Sequence, residues 1–566
     1  MSEVADGTCM GTPLAGTQAD GSPPSLRVPP TPEGCATAVT HLSSALATTG
    51  PERSHPDCRG HPPLVEVRVG EPHVPESVVE ATPDTGIELR LPGSLAHAVI
   101  GAPLAYYLGA SVSVGASEPA LVAPDAGVHE PLGAMPAFQN RVVDLLRRVF
   151  VLDCLVRNRP GEPALDGRER FDALEPAAAR AADPAERLAR YLEVPAASIP
   201  GGLPDWHLAT YTDPNDDTVR CLPYLCHDLS LLYTAEASEI DPQGLLTMAL
   251  DDFFRAAGSY RREDAVPSVD LLDPDLGAGE LHAWLADGVP LEAYSTSLAA
   301  FRNRVPPEAD GLSVAVVLND ERMADERETV VDSYRGADRP VELTVEEEVP
   351  AAELARLFEA ERDLVHYIGH CELEGLRCPD GALDTTSVDT VGARAFFLNA
   401  CGSYYQGQRL VENGAVGGAV TVRAVLDRPA ATVGASFARL VVAGLPIQRA
   451  LGLARKQITM STDYAVVGDG THALVPEESA PGVARLEGAD GDYRLRYTVP
   501  ATRRPGDWFR APFGSGAEAH LRGAQATGEL DREGAAAAVA ATGGPVVYEG
   551  ELWQAAALAR RLRDGG

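Results

Sequence analysis

Lysine is nearly missing from this chain of 566 residues, where Lys456 stands alone among 47 basic residues. Acidic residues number 82, so the formal charge at pH 7 is −35. A surface so short of cations repels phosphate backbones and anionic lipid, which argues against nucleic acid and membrane surfaces as partners. The same balance suits concentrated salt, where a Debye length of about 3 Å at 1 M quenches self-repulsion, so a halophilic host is the expectation. Also missing is any uncharged apolar run of about 18 residues, and the start MSEVADG is acidic where a secretory signal is basic and then apolar. A cytoplasmic location is the expectation. No glycine-rich loop followed by Lys-Ser or Lys-Thr is present to cradle a nucleotide phosphate, which removes the main support for nucleotide binding. Nine cysteines, an odd number spread through a long chain, do not look like a disulfide framework; reduced thiols are expected.

At about 150 residues per domain the length suggests three or four domains. Residues 1–60, with GSPPSLRVPPTPEG, are rich in Gly, Pro, Ser, Thr and Ala and predict a disordered tail. Residues 61–135 alternate as VEVRV and IELRL, and LAYYLGASVSVG from 104 suggests more strand and turn, hence a β-rich region. From 136 to 305 the period changes: Phe138, Val142, Leu145, Val149 and Leu152 mark an amphipathic helix, with further helices expected at 168–193 and 243–257. Between 310 and 470 strands alternate with helices: strands LSVAVVLN, VELTV, LVHYIG, AFFLNA, AVGGAVTV and YAVVG, with helices between them, including 404–412, 430–443 and 447–458. That alternation predicts α/β architecture with a doubly wound, mostly parallel sheet. Residues 471–566 add a β/α extension.

Two apolar strands in that segment end in reactive side chains. His370 follows LVHYIG, and Cys401 follows AFFLNA. Ligands of open parallel sheets bind beyond the carboxyl ends of the strands, so neighbouring strands would bring imidazole and thiol to one edge. A thiolate before a helix N-terminus and an imidazole titrating near neutrality suit thiol-dependent peptide hydrolysis. Backbone amides at Cys371 and Cys401 are candidates for the oxyanion hole. His366, four residues before His370, reads better as a core histidine than as a site residue. His370, Cys371 and Cys378 lack the second pair that a zinc site needs, and no metal or cofactor is implied. Cys221 and Cys226 in CLPYLC read as small buried hydrophobes.

HYIGH, CPDGALD, FFLNACGSYYQGQRLVENGAVGGAVTV and GLPIQRALGLAR, in that order, resemble the CHAT family of caspase-like cysteine peptidases, related to caspases and separases, here as a haloarchaeal-type member. The likeness covers roughly 310–467. It implies a caspase-like fold, a thioacyl-enzyme intermediate, His370 as catalytic histidine, Cys401 as nucleophile, and a protein or peptide substrate. Asn399, two residues before the nucleophile, falls where related peptidases line the pocket for the residue preceding the cut. Asp380, with Asp384 and Asp389, makes the nearby loop negative, which suits a basic residue or a solvated surface. The chain departs from the family in carrying Cys371 where glycine usually follows the histidine, and in a shorter loop between the two site residues. Residues before 300 lack the helical repeats that often accompany such domains, although a regulatory protein could still engage this region. The competing reading is a catalytically inactive interaction or scaffold protein.

Overall fold

The β-branched run at 312–318 forms strand β1 (Leu312–Leu318), with Val314, Ala315, Val316 and Val317 fully buried, as a central parallel strand requires. After it come α1 (Ala324–Arg335), β2 (Val341–Glu347), α2 (Ala351–Glu359) and β3 (Arg362–Ile368). The series continues with β4 (Ala393–Asn399), α3 (Tyr404–Glu412), β5 (Gly417–Thr421), α4 (Asp427–Val442), α5 (Ile447–Arg455) and β6 (Tyr464–Gly468). In this computed structural model the strands lie in the order β2-β1-β3-β4-β5-β6, extended by short strands at Tyr294–Ser295 and Leu281–Leu285. The first five run parallel and β6 is antiparallel to β5. The described residues are 23–564, except 160, 164, 166–174, 200–202, 204, 240–268, 270, 308–310, 338, 423–426, 457–462, 477–480, 490–491 and 515–517.

Alternation along the strands sends side chains to two layers of helices. Val365 and Tyr367 of β3 and Phe396 and Leu398 of β4 pack with Leu354 and Phe358 of α2 and Leu410 of α3. On the other face, the His366 ring lies tilted against Phe397 at 4.8 Å and edge-on to Tyr334 of α1 at 6.1 Å, and Phe397 meets Phe437 of α4 at 4.8 Å. The sheet is therefore doubly wound, as the alternating pattern predicts.

The chain divides into two compact units, each assembled from three pieces: 1–234, 277–280 and 498–526 in the first, and 235–276, 281–497 and 527–566 in the second. The second unit holds the sheet above and a further one with strands at Asp492–Thr498, Val483–Ala489, Pro545–Tyr548 and Glu551–Gln554, in that order.

The first unit departs from expectation in three places. Residues expected in a disordered tail form strand Ser25–Val28, paired with Leu64–Val67, and helix Pro32–Leu42. Proline opens that helix, and Cys35, Ala38, Val39 and Leu42 bury its inner face, so a segment poor in long apolar runs is still ordered by burial. Of the stretch expected as strand and turn from 104, residues 104–108 instead end helix Leu95–Leu108, which is apolar on every side and so carries no helical period, while Ser111–Val114 is a strand as expected. The region expected as mostly helical also contains strands Leu208–Thr212 and Leu231–Thr234. The helix expected at 243–257 lies outside the described residues.

Candidate functional site

Strand register builds the site. Leu318 of β1 pairs with Ile368 of β3, and Ile368 pairs with Asn399 of β4. The ladder runs one residue further: the Asn319 amide donates to the Ile368 carbonyl at 3.0 Å, and the Gly369 amide to the Asn399 carbonyl at 3.3 Å. Asp320, His370 and Cys401 are each two residues beyond the last of these paired positions. They follow the ends of three adjacent strands, which themselves lie about 4.8 Å apart.

His370 Nε2 lies 2.5 Å from Asp320 Oδ2. The carboxylate accepts a hydrogen bond from Nε2–H and fixes the ring, which leaves Nδ1 as the other ring nitrogen. The His370 side chain is 31% exposed and that of Asp320 11%, so the ring is the more open member of the pair. The backbone here is pinned. The Arg377 amide donates to the His370 carbonyl at 2.9 Å, and the Tyr367 hydroxyl bridges the carbonyls of His370 and Arg377 at 3.1 and 2.6 Å. A Cβ on Gly369 would come within 2.7 Å of that hydroxyl, so glycine makes room for the bridge. Asn319 ties in a third segment, donating to the carbonyls of Val349 and Arg377 and accepting from the Val349 amide at 2.7 Å.

Cys401 is half-buried and opens a tight turn into α3. Gly402 turns the chain with φ +68, a value costly for other residues. Ser403 then locks the turn, donating to the Leu398 carbonyl at 3.0 Å and accepting from the Thr421 amide at 3.1 Å, while the Thr421 hydroxyl donates to the Ala400 carbonyl. The nucleophile candidate is thus held at the mouth of a helix N-terminus.

Asn399 is buried and polar-bonded: its amide donates to Glu326 Oε1 and to the Ala430 carbonyl, and the Tyr464 hydroxyl donates to its oxygen at 3.0 Å. Burial pushes the Tyr464 phenol well above its usual range, and Glu326, Asp463 and Cys401 push the same way. Asp380 sits in a turn of a small sheet, strands Cys371–Glu372, Gly375–Cys378 and Gly381–Leu383, and accepts from the Ala351 amide at the start of α2 at 2.9 Å. Asp384 accepts from the Thr386 amide at 3.0 Å. Cys371 is buried, and its thiol is pushed up to about 12 by burial and then by Cys401 and Glu372. His366 is fully buried with Nδ1 3.1 Å from the Tyr334 hydroxyl, and desolvation lowers it to about 3. Cys221 and Cys226 are fully buried. Among the described residues no group of three or more His, Cys, Asp or Glu is placed to hold a metal ion, and no helix is long and apolar enough to cross a membrane.

Asp320 is the residue that sequence reasoning missed. LSVAVVLND places it just past a buried strand, the same signal that singled out His370 and Cys401. Glu326 was missed as well, since it enters from α1 and meets Asn399 only across the fold.

No protein-family model matches the chain, and no curated protein is similar to it in sequence. Solved structures resemble it weakly. Separase from Saccharomyces cerevisiae, in complex with securin, is 10% identical at a TM-score of 0.27, over 35% of this chain and 16% of that one. The Arg-specific cysteine proteinase gingipain R is 9% identical at a TM-score of 0.28, over 36% of this chain and 62% of that one. In a complex of its pro- and mature domains, from Porphyromonas gingivalis, it is 8% identical at a TM-score of 0.28, over 42% and 70%. The chain thus spans about a sixth of the separase chain and just under two thirds of the first of these gingipain chains.

Proposed function

We propose that this protein is a cysteine endopeptidase of the caspase-like CHAT type, with Cys401 as nucleophile and His370 as its acid and base. The observation that carries the reading is that Asp320, His370 and Cys401 follow three neighbouring strand ends, with His370 Nε2 bonded to Asp320. In the reaction the Cys401 thiolate adds to the scissile carbonyl carbon, and amides at Cys371 and Cys401 receive the oxyanion. His370 gives its proton to the leaving amine as the C–N bond breaks, leaving a thioacyl-enzyme. It then takes a proton from water, whose hydroxyl displaces the thiolate and releases the acid. Asp320 stabilises the imidazolium present before the first step and restored by the second. Asn399 and Asp380 are the proposed substrate-pocket residues, and Glu326, bonded to Asn399, brings a carboxylate to the same place. The acidic, lysine-poor composition supports a cytoplasmic protein of a halophile. A regulatory protein partner bound through the N-terminal region belongs to the same proposal.

The test is substrate-library profiling in molar salt with Cys401→Ala and His370→Ala beside the wild type. Both variants should fall to background, and an acyloxymethyl-ketone probe should label the wild type alone. Labelling that survives Cys401→Ala would remove the assignment. A folded wild type that neither cuts nor labels would leave the scaffold reading.

A further inference from the structure

The strand Glu551–Gln554 is the last of its sheet, and among the described residues no strand pairs with its outer side. Its hairpin fixes which backbone groups lie on that side. Tyr548 pairs with Glu551 across a two-residue turn, Glu549 and Gly550, whose φ values of +52 and +80 suit a type I′ turn. In such a hairpin the residues flanking the turn are a hydrogen-bonded pair, and bonded and non-bonded pairs alternate from there. Val546 and Trp553 therefore exchange bonds, whereas Val547 and Leu552 do not, nor do Pro545 and Gln554. Pro545, which has no N–H, stands where this strand needs none. The N–H and C=O of Leu552 and the N–H of Gln554 thus point outward from the sheet edge. A groove of about 940 Å³ lies along that edge, lined by Leu552, Trp553 and Gln554 on one side and by the second half of α1 and the end of α4 on the other. All of it belongs to the second unit. Arg339 and Arg439 line it together with Glu328 and Asp332, so its charges balance in a chain of formal charge −35. Arg439 meets the Ser436 hydroxyl at 3.2 Å and, among the described residues, no carboxylate, and partial desolvation holds its guanidinium below the usual range.

We infer that this groove docks an extended segment of a partner protein by strand addition, with an acidic side chain of that segment seated on Arg439. The segment exchanges backbone hydrogen bonds with Leu552 and accepts from the Gln554 amide, as one more strand of the sheet. Its carboxylate gives Arg439 the charge-assisted pair that the chain itself does not supply. Screening over about 3 Å in molar salt removes the general repulsion of an acidic segment but leaves a contact pair in place. A second copy of this chain suits the place less well. Its sheet would need open space beyond the edge strand, where α1 and α4 stand, and each copy brings a formal −35. None of the groove residues belongs to the candidate peptidase site, so the inference stands apart from that reading.

The experiment uses the full chain in molar salt and a library of capped hexapeptides built from Val, Ile, Thr and Tyr, each made in two forms with Asp or Asn at one inner position. Fluorescence anisotropy should find Asp peptides that bind at least about tenfold more tightly than their Asn forms. Arg439→Gln should erase that preference and leave the Asn forms within about twofold of their wild-type affinity. Methylating alternate backbone amides of the best binder should cost more than about tenfold in one set and less than about threefold in the other, because a strand bonds its neighbour through alternate residues. Hydrogen exchange read by mass should slow across 551–554 when the peptide is bound, and sedimentation should show one copy of the chain in the complex. Should Arg439→Gln fail to fold, the methylated peptides and the exchange map decide by themselves. The inference is overturned by the absence of any binder below about 1 mM, by Asn forms that bind as well as Asp forms, or by equal effects of the two methyl sets. Protection confined to other segments, or a groove closed by a second copy of the chain, would overturn it too.

Discussion

Each unit contains an aspartate bonded to a nitrogen base, and the two aspartates live in opposite surroundings. In the first unit Asp153 is completely buried. Arg53 Nε meets one of its oxygens at 2.9 Å, the hydroxyls of Tyr107 and Tyr191 donate to it at 2.9 Å each, and Arg187 Nε stands 3.6 Å away. Arg53 also lies over the Tyr107 ring at 4.7 Å, and Arg187 reaches the carbonyls of Ala182 and Thr49. Every large group in that knot is enclosed by protein. In the second unit Asp320 grips one nitrogen of a ring that is one-third exposed, at the open end of a sheet. A charge closed in by its partners fixes the chain; one that orients a half-open base suits the role proposed for that base.

The sharpest way to break this contrast is to remove each carboxylate in turn. Asp153→Ala leaves the guanidinium groups of Arg53 and Arg187, each 2% exposed, without their counter-charge. The expected loss is about 3–5 kcal/mol of stability, seen as a lower unfolding midpoint in denaturant at fixed molar salt. A loss under about 1 kcal/mol would mean that the knot is not what holds this part of the first unit.

Asp320→Asn should do the reverse. The amide keeps an oxygen near His370 but removes the charge that stabilises the imidazolium. Peptide hydrolysis should fall about 10²-fold in kcat/KM while the unfolding midpoint moves by less than about 1 kcal/mol. Equal losses in both readouts would erase the distinction between the two aspartates.

The sheet was legible because its code is local. Unbroken β-branched runs such as LSVAVVL mean strands buried on both faces, and their alternation with helical periods fixes a parallel order, so the ends of β3 and β4 could be brought together in advance. Asp320 follows a buried strand as His370 and Cys401 do, but one acid among 82 stands out only once the register shows which strand lies beside β3. The helix Leu95–Leu108 was misread because an element buried on every side has no period, and Tyr106 and Tyr107 favour strands. The small sheet between His370 and Cys401 depends on Gly375 and Gly381 at φ values of +131 and +145, a conformational requirement that sequence spacing alone did not expose.

Acid sharpens the comparison further, since each unit buries a histidine that must stay neutral. Desolvation lowers His207 of the first unit to about 4 and His366 of the second to about 3, against 6.5 when exposed. Below pH 6.5 the unfolded chain takes up protons that the folded chain refuses, so stability rises with pH in this window and is lost as pH falls toward 4. Each histidine contributes about 1.4 kcal/mol per pH unit within it. The unfolding midpoint should therefore drop between pH 6.5 and 4.5 at constant salt. His366→Gln, which keeps an acceptor for Tyr334, should remove one proton's share of that slope; an unchanged slope would show that His366 does not titrate on unfolding.

The smallest effect separates two roles for Asp380. Helix α2 begins after Pro350 with no capping side chain of its own, and Asp380 supplies an acceptor to its first amide from the neighbouring turn. If capping is its whole role, Asp380→Ala should lower stability by about 1 kcal/mol, Asp380→Asn should lose only a few tenths, and both should cut basic and neutral peptides in the wild-type ratio. If the carboxylate also meets substrate, Asp380→Asn should keep the cap yet raise KM for peptides with a basic residue before the cut, leaving neutral ones unaffected. The amide variant thus separates the roles, because it keeps the hydrogen bond to Ala351 and gives up only the charge.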